Sequence, residues 1–325
     1  MTTTWQPSCS LELIRLRAGL LHEIRSFFYA ENVLEVETPI LCQAIGTDPY
    51  LDFFSTSQLP GNQPVLYLQT SPEFAMKRLL AAQIGSIYQI TKAFRKAESG
   101  RLHNPEFSML EWYRVGYDLS RLMDDVELLL NQFLPAERFP DPAERISYTD
   151  VFLQYTGLNA LQFNLSAYSR VAEKLGFPEA IRLCADDHPA WLDFLFSHSV
   201  QQHLGKTGLC MVFDYPACLP SLARLNLDNP LTVARVEVFI DGIELANGYY
   251  ELTDIAQQRS RFDQEILLRD RNGAVKVHKD ERLLAALQSG LPDCSGIAIG
   301  LDRLLMIISE KNHIDEVLAF PIENA

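Results

Sequence analysis

The sequence predicts an α+β fold, an antiparallel β-sheet flanked by helices. Three observations carry that reading. From Phe94 to Arg114 the chain reads FRKAESGRLHNPEFSMLEWYR: the end of one strand, a polar loop, and an alternating return strand. Further on, TVARVEVFI and IELANGYYEL flank Asp241-Gly242, a two-residue hairpin signal. Helical periodicity frames these strands. Leu13, Leu16, Leu20, Ile24 and Phe27 form one stripe, and Leu119, Leu122, Val126, Leu129 and Phe133 form another within 118–134.

Composition narrows the function classes. The chain has 325 residues, 47% hydrophobic and 22% charged, enough for one large core. Its net charge is −14, and no basic patch or basic appended domain stands out, so a tRNA-gripping surface is not expected. The six cysteines are scattered with no C-x-x-C pair, which favours free buried thiols over a zinc site or a disulfide framework. MTTTWQPSCS lacks the basic region and apolar run of a signal peptide. The apolar stretch GIAIGLDRLLMII is interrupted by Asp302 and Arg303, short of membrane length. A soluble cytoplasmic protein with no membrane partner is expected.

In chain order, the first helix has Ser10 as its cap and Glu12 in its first turn. VLEVETPIL, Val33–Leu41, reads as a strand ending near Pro39. Residues 64–70 read as another strand. Ser71-Pro72-Glu73 then opens a helix through Leu80, with Ser at the cap, Pro in the first position and an acid in the first turn. Glu73 there can simply complement the helix dipole.

The Phe94–Arg114 hairpin concentrates chemistry. On its return strand Phe107, Met109, Glu111 and Tyr113 share a face. Arg95 closes an outgoing run through Gln89, Thr91 and Ala93, and the loop adds Arg101, His103 and Asn104. A guanidinium beside an aromatic plate suits a phosphate next to an adenine. A polar hairpin face exposed to water is the alternative, but Phe and Tyr interleaved with Glu make poor solvent decoration.

At these residues the chain resembles the class II aminoacyl-tRNA synthetases. The hairpin is similar to their motif 2, and HNPEFSMLEWY to the lysyl branch. That resemblance implies that Arg95 holds the α-phosphate and the amino-acid carboxylate, with Lys96, Ala97, Glu98, Asn104 and Phe107 around the ATP. Arg101 and His103 would clamp its outer phosphates. One departure stands out. Ala97 occupies the place of the usual motif 2 Glu, and Glu98, one place later, is the candidate for its role. By the same resemblance, the first helix and the Pro39 strand correspond to motif 1, the dimer interface. Ser71, Pro72 and Glu73 would meet the substrate, with Glu73 on an ammonium. Residues 1–10 leave no room for the anticodon-binding barrel that lysyl-tRNA synthetases carry before that helix. The expectation is therefore one class II catalytic domain, 1–325, with no anticodon-binding domain.

After a Pro-rich connector at 135–145, the pattern is helical from Ile146 to about Lys206, with Trp191, Phe194, Leu195 and Val200 as core. This resembles the helical insertion between motifs 2 and 3, about 135–206. LCMVF then begins the second group of strands. The Asp241-Gly242 turn sets Ile240 opposite Ile243, Phe239 opposite Glu244 and Glu237 opposite Ala246. Glu237 and Glu244 become diagonal neighbours, roughly 7–8 Å apart. They could hold Mg²⁺ on a triphosphate or be two solvated acids. Asn247, Tyr249 and Glu251 have the opposite parity to Glu244, so a shared pocket requires a bulge near Ala246–Gly248. LANGYYELTD resembles the lysyl-branch signature, which implies that Asn247, Tyr249 and Glu251 contact the amino acid, and Glu244 and Leu245 the ATP.

Gly296–Ile307, GIAIGLDRLLMI, is a glycine-punctuated strand entering a helix and resembles motif 3. By that resemblance Arg303 stacks adenine against Phe107, Gly300 lets backbone approach the nucleotide, and Ala298 lies at the floor of the amino-acid pocket. Arg95 and Arg303 are the catalytic candidates. Glu73, Glu111 and Glu251, with Tyr113 alongside, are surplus carboxylates that suit a substrate with two ammonium groups, lysine or an isomer such as (R)-β-lysine. The resemblance to truncated lysyl-tRNA synthetase paralogues implies ATP-dependent adenylation and transfer to a lysine side chain of translation elongation factor P, by a homodimer that does not use tRNA. A synthetase acting on tRNA or a small acceptor, and a non-catalytic amino-acid-binding regulator, are the alternatives.

Overall fold

Ser10 starts the fold. In this computed structural model, which describes residues 5–56, 65–139 and 142–325, its hydroxyl accepts the Leu13 N–H and caps helix α1 (Leu11–Ala30). The predicted stripe is buried except Leu16. Phe28 packs in addition, stacked on Tyr88 with ring centroids 4.4 Å apart. The expected Val33–Leu41 strand is two short pieces, β1 (Leu34–Glu35) and β2 (Leu41–Cys42). Pro39 lacks a ladder donor, and Thr38 spends its hydroxyl on Gln89 Oε1 at 2.9 Å, so the chain leaves the sheet between them. β3 (Tyr67–Leu68) pairs with β2; the expected start of that strand at Pro64 lies outside the described residues.

Helix α2 (Glu73–Ala81) begins one residue later than Ser71 capping requires. Pro72 occupies the cap position, and Ser71 Oγ instead accepts the Glu73 N–H at 3.0 Å. β4 (Ile87–Phe94) and β5 (Glu106–Val115) form the predicted hairpin. Asp118 caps α3 (Leu119–Leu130), which ends before Phe133. Within the 135–145 connector, Pro140 and Asp141 lie outside the described residues. The helical reading from Ile146 needs one correction. Glu144–Ser147 is strand β6, a four-residue piece too short to show a period. Helices α4 (Tyr148–Thr156), α5 (Leu165–Lys174), α6 (Ala180–Cys184) and α7 (His188–Leu195) follow. Then come β7 (Cys210–Pro216), β8 (Thr232–Ile240), β9 (Ile243–Tyr250), α8 (Ile255–Arg271), α9 (Glu281–Gly290), β10 (Cys294–Gly300) and α10 (Leu301–Ile308).

The chain divides into two compact units. The first is Met1–Gly116 with Leu252–Ala325; the second is Tyr117–Glu251. In the first, strands run in the order β1-β4-β5-β10, β1 parallel to β4 and the rest antiparallel. In the second the order is β9-β8-β7-β6, with β6 parallel to β7. Among the described residues, the remaining strand pairs within each unit are antiparallel. In the second unit α4–α7 and the helical turn Phe196–Val200 after them bury Tyr148, Phe152, Trp191, Leu195 and Val200 with Tyr215 and Phe239 of its strands; Phe194 is only half-buried.

The β8–β9 turn takes positive φ at both Asp241 (54°) and Gly242 (77°), as a two-residue hairpin of this type requires. A Cβ on Gly242 would lie 3.1 Å from the Gln201 carbonyl oxygen, so the position also needs glycine for space. Ile240 faces Ile243 and Phe239 faces Glu244 as predicted. The register then shifts: Val238 faces Ala246, and Glu237 faces Asn247 instead of Ala246. Leu245 is the extra residue, so the bulge falls earlier than Ala246–Gly248. It turns Glu244, Asn247 and Tyr249 to the sheet face that carries Arg235 and Glu237.

Candidate active site

In the first unit one sheet face is built by register. Glu111 lies opposite Gln89 on β4 and Ala298 on β10; Tyr113 lies opposite Gly296, and Met109 opposite Gly300. Glu111 is buried. Its Oε1 accepts the Tyr113 hydroxyl and its Oε2 the Ser71 hydroxyl, each at 2.7 Å. Burial, reinforced by the nearby Glu73 charge, pushes the Glu111 carboxyl up to about 7 against these two bonds and the pull of Lys77. Glu73 is itself paired: Lys77, one turn along α2 and almost wholly buried, places Nζ 2.6 Å from Glu73 Oε1. The sequence reading missed Lys77. It was hidden in a helix, but its i,i+4 spacing from Glu73 was the available signal. One of the surplus carboxylates therefore already has an internal cation.

Arg95 sits at the end of the same face, its guanidinium carbon 5.1 Å from the Phe107 ring centroid. Its Nη1 lies 3.4 Å from Glu98 Oε1, the carboxylate one place beyond Ala97. Arg95 Nε is buried with no hydrogen-bond partner among the described residues. The loop is pinned at several points. The Lys96 N–H donates to the Asp52 carbonyl at 3.0 Å, and Arg101 donates to the Asn312 carbonyl at 3.4 Å. Asn104 uses both poles of its amide inside the protein, donating to the Glu106 carbonyl and accepting from the Ile322 N–H. His103 Nε2 lies 2.7 Å from Arg303 Nη2, while Arg303 Nε donates to the Leu102 carbonyl at 3.3 Å. Asp302, next to Arg303, is buried, accepts the Ser108 N–H at 2.7 Å and pairs with Arg17. That fixes the start of α10, and with it Gly300, against β5 and α1.

The second unit carries the other carboxylates. Glu237 has both oxygens engaged: Oε1 by Arg235 and Oε2 by the Tyr215 hydroxyl at 2.6 Å. Arg235 Nε donates to Asn247 Oδ1 at 3.3 Å, and its guanidinium lies over the Tyr215 ring, 4.4 Å from the centroid. Burial raises the Glu237 carboxyl, against the pull of Arg235, with the nearby Glu244 adding to the rise. This does not fit the metal-ligand role read for Glu237, since a cation there would have to displace Arg235. Among the described residues no group of three or more His, Cys, Asp or Glu side chains is placed to hold a metal ion. Tyr249 lies opposite Arg235, and Leu245 is the buried bulge residue. Glu251 is buried, and its carbonyl accepts from Arg224 at 2.9 Å.

Comparison with known proteins gives these residues a context. A family model described as tRNA synthetases class II (D, K and N) matches residues 5–324. The chain belongs to this class II synthetase family. It is similar over its full length to proteins named elongation factor P–(R)-β-lysine ligase: 44% identical to that of Pectobacterium atrosepticum, covering 100% of this chain and 99% of the relative. The Vibrio cholerae protein of that name is 43% identical over 99% of this chain and 98% of its own, and the Salmonella typhi protein 42% identical over 100% and 99%. As a class II synthetase the chain has the mixed α and β elements of that fold. Among its described residues no helix is long and apolar enough to cross a membrane.

Proposed function

We propose that this chain is an ATP-dependent ligase that activates (R)-β-lysine, or lysine, as an aminoacyl-adenylate. It then transfers the aminoacyl group to the side-chain amine of a lysine of translation elongation factor P. The observation that carries the reading is full-length similarity, near 44% identity, to proteins named for that activity. The Arg95 geometry supports it from the chain's own residues.

No side-chain nucleophile is needed. A carboxylate oxygen of the amino acid attacks the α-phosphorus of ATP, and the bond to the bridging oxygen breaks as pyrophosphate leaves. Arg95 supplies charge where it develops. Its unpartnered buried Nε needs an acceptor that a phosphoryl oxygen provides, and Glu98 holds its other edge. Phe107 and Arg303 offer flat surfaces for the adenine. Glu73 and Glu111 favour an ammonium, Glu111 losing its proton as one binds. The elongation factor amine then attacks the acyl carbon, AMP departs with the carboxylate oxygen it gained, and the new amide loses a proton. Mg²⁺ bound with ATP would supply charge neutralisation at the phosphates; Glu237, held by Arg235, is given no ligand role.

We further propose a cytoplasmic homodimer through the first helix and the Pro39 segment. Tyr29, Leu34, Ile40 and Leu41 are exposed there, an apolar set that a partner copy would cover. tRNA is not the acceptor in this reading, consistent with the net charge of −14. ATP–pyrophosphate exchange with lysine isomers, followed by acceptor assays with elongation factor P and with lysine tRNA, tests the proposal. Efficient charging of tRNA at physiological salt would overturn the choice of acceptor.

A further inference from the structure

We infer that Arg235 is a positioning residue for the activation reaction: it orients the Asn247 amide so that its NH₂ group meets the ligand, and it holds Glu237 as its own counter-ion. The assignment rests on the activation reading above and on Asn247 as a contact to the amino acid.

The β8–β9 register brings the parts together. Arg235 lies opposite Tyr249 and Glu237 opposite Asn247, on one sheet face. An arginine side chain has only donors, so the Asn247 atom 3.3 Å from Nε is the carbonyl oxygen. With that pole engaged, the remaining pole of the amide is a donor. It therefore recognises an acceptor on the amino acid, its carboxylate oxygen, and not an ammonium group. The guanidinium is itself held in place by Glu237 Oε1 and by the Tyr215 ring, whose hydroxyl closes the circuit on Glu237 Oε2 at 2.6 Å. A lysine could not replace it, because a point charge on a flexible stem cannot serve Glu237 and Asn247 at once.

The test uses the full-length protein in ATP–pyrophosphate exchange with (R)-β-lysine and with lysine. Arg235→Lys is expected to raise the KM for the amino acid by about tenfold, the scale of one lost hydrogen bond, and to leave the KM for ATP within about twofold. A double-mutant cycle separates positioning from general support of the fold. If Arg235 acts through Asn247, the double variant Arg235→Lys with Asn247→Ala has the amino-acid KM of Asn247→Ala alone. Additive losses, or an unchanged amino-acid KM in a folded Arg235→Lys protein, would overturn the assignment. Should Arg235→Lys fail to fold, Arg235→Met with Glu237→Gln removes both buried charges together. It must show the same KM rise and the same non-additivity with Asn247→Ala, and a wild-type KM there overturns the assignment. A wild-type protein silent with both isomers overturns the activation reading, and this assignment with it. An active wild type with unaffected variants overturns this assignment alone.

Discussion

The Ser71 hydroxyl donates to Glu111 Oε2 at 2.7 Å, and Ser71 Oγ itself accepts the Glu73 N–H at 3.0 Å. One side chain thus couples the start of α2 to the middle of β5. Glu111 is buried at that junction, and burial pushes its carboxyl up to about 7 against the Ser71 and Tyr113 bonds and the pull of Lys77.

That titration gives the first prediction. Glu111 is pushed up to about 7 by burial, and a bound ammonium stabilises only its ionised form. Below pH 7 binding must first remove a proton. The KM for the amino acid should therefore fall by about tenfold between pH 6 and pH 8, and Glu111→Gln should raise it and flatten the profile. A wild-type KM that rises across that range would contradict the role given to Glu111.

The second prediction concerns stability. Burial, ahead of the Asp48 and Glu73 charges, pushes Glu265 up to about 7, although Thr47 donates to it. Its folded-state pKa exceeds its unfolded value, so the folded protein holds the extra proton between about pH 4.3 and 7. Stability from this group is lost as pH rises through that window. Glu265→Gln should raise the melting temperature at pH 8 and leave it nearly unchanged at pH 4. Equal shifts at both pH values would refute the assignment.

The third concerns isomer choice. Ala298 lies directly across the β10–β5 ladder from Glu111, so its methyl shares the face of that carboxylate. One methyl in a pocket discriminates by about 1–3 kcal/mol. Ala298→Gly should improve kcat/KM for lysine relative to (R)-β-lysine by about tenfold in pyrophosphate exchange. An unchanged ratio would pass the role to Ser71.

Much of this arrangement was legible in the sequence, and the failures have physical causes. Ser10 and Asp241-Gly242 mark their cap and turn because only certain side chains satisfy those backbone positions. The alternation of Phe107, Met109, Glu111 and Tyr113 follows from the pleat. The bulge at Leu245 was misplaced because an extra residue in a ladder is a backbone event, and Leu245 is not itself a residue that demands one. Glu237 pairs with Arg235, two residues earlier on the same face, a contact that strand alternation alone does not distinguish from a cation-binding face. β6 was lost because four residues at a sheet edge carry too little pattern to separate from a helix start.

The fourth prediction addresses the chemistry. Arg95→Ala removes a charge needed mainly in the transition state, an effect worth about 10²–10³ in rate. Pyrophosphate exchange should fall at least that far while the melting temperature and circular dichroism spectrum are kept. Near-normal exchange would sink the role of the Phe94–Arg114 hairpin.

The most direct measurement is the intact mass of elongation factor P after incubation with the purified chain, ATP and (R)-β-lysine, with lysine tRNA present as a competing acceptor. The account predicts that elongation factor P gains one β-lysyl group, dependent on ATP and lost in Arg95→Ala, while the tRNA stays uncharged. An unmodified elongation factor P beside charged tRNA, or no consumption of ATP with any lysine isomer, would contradict it.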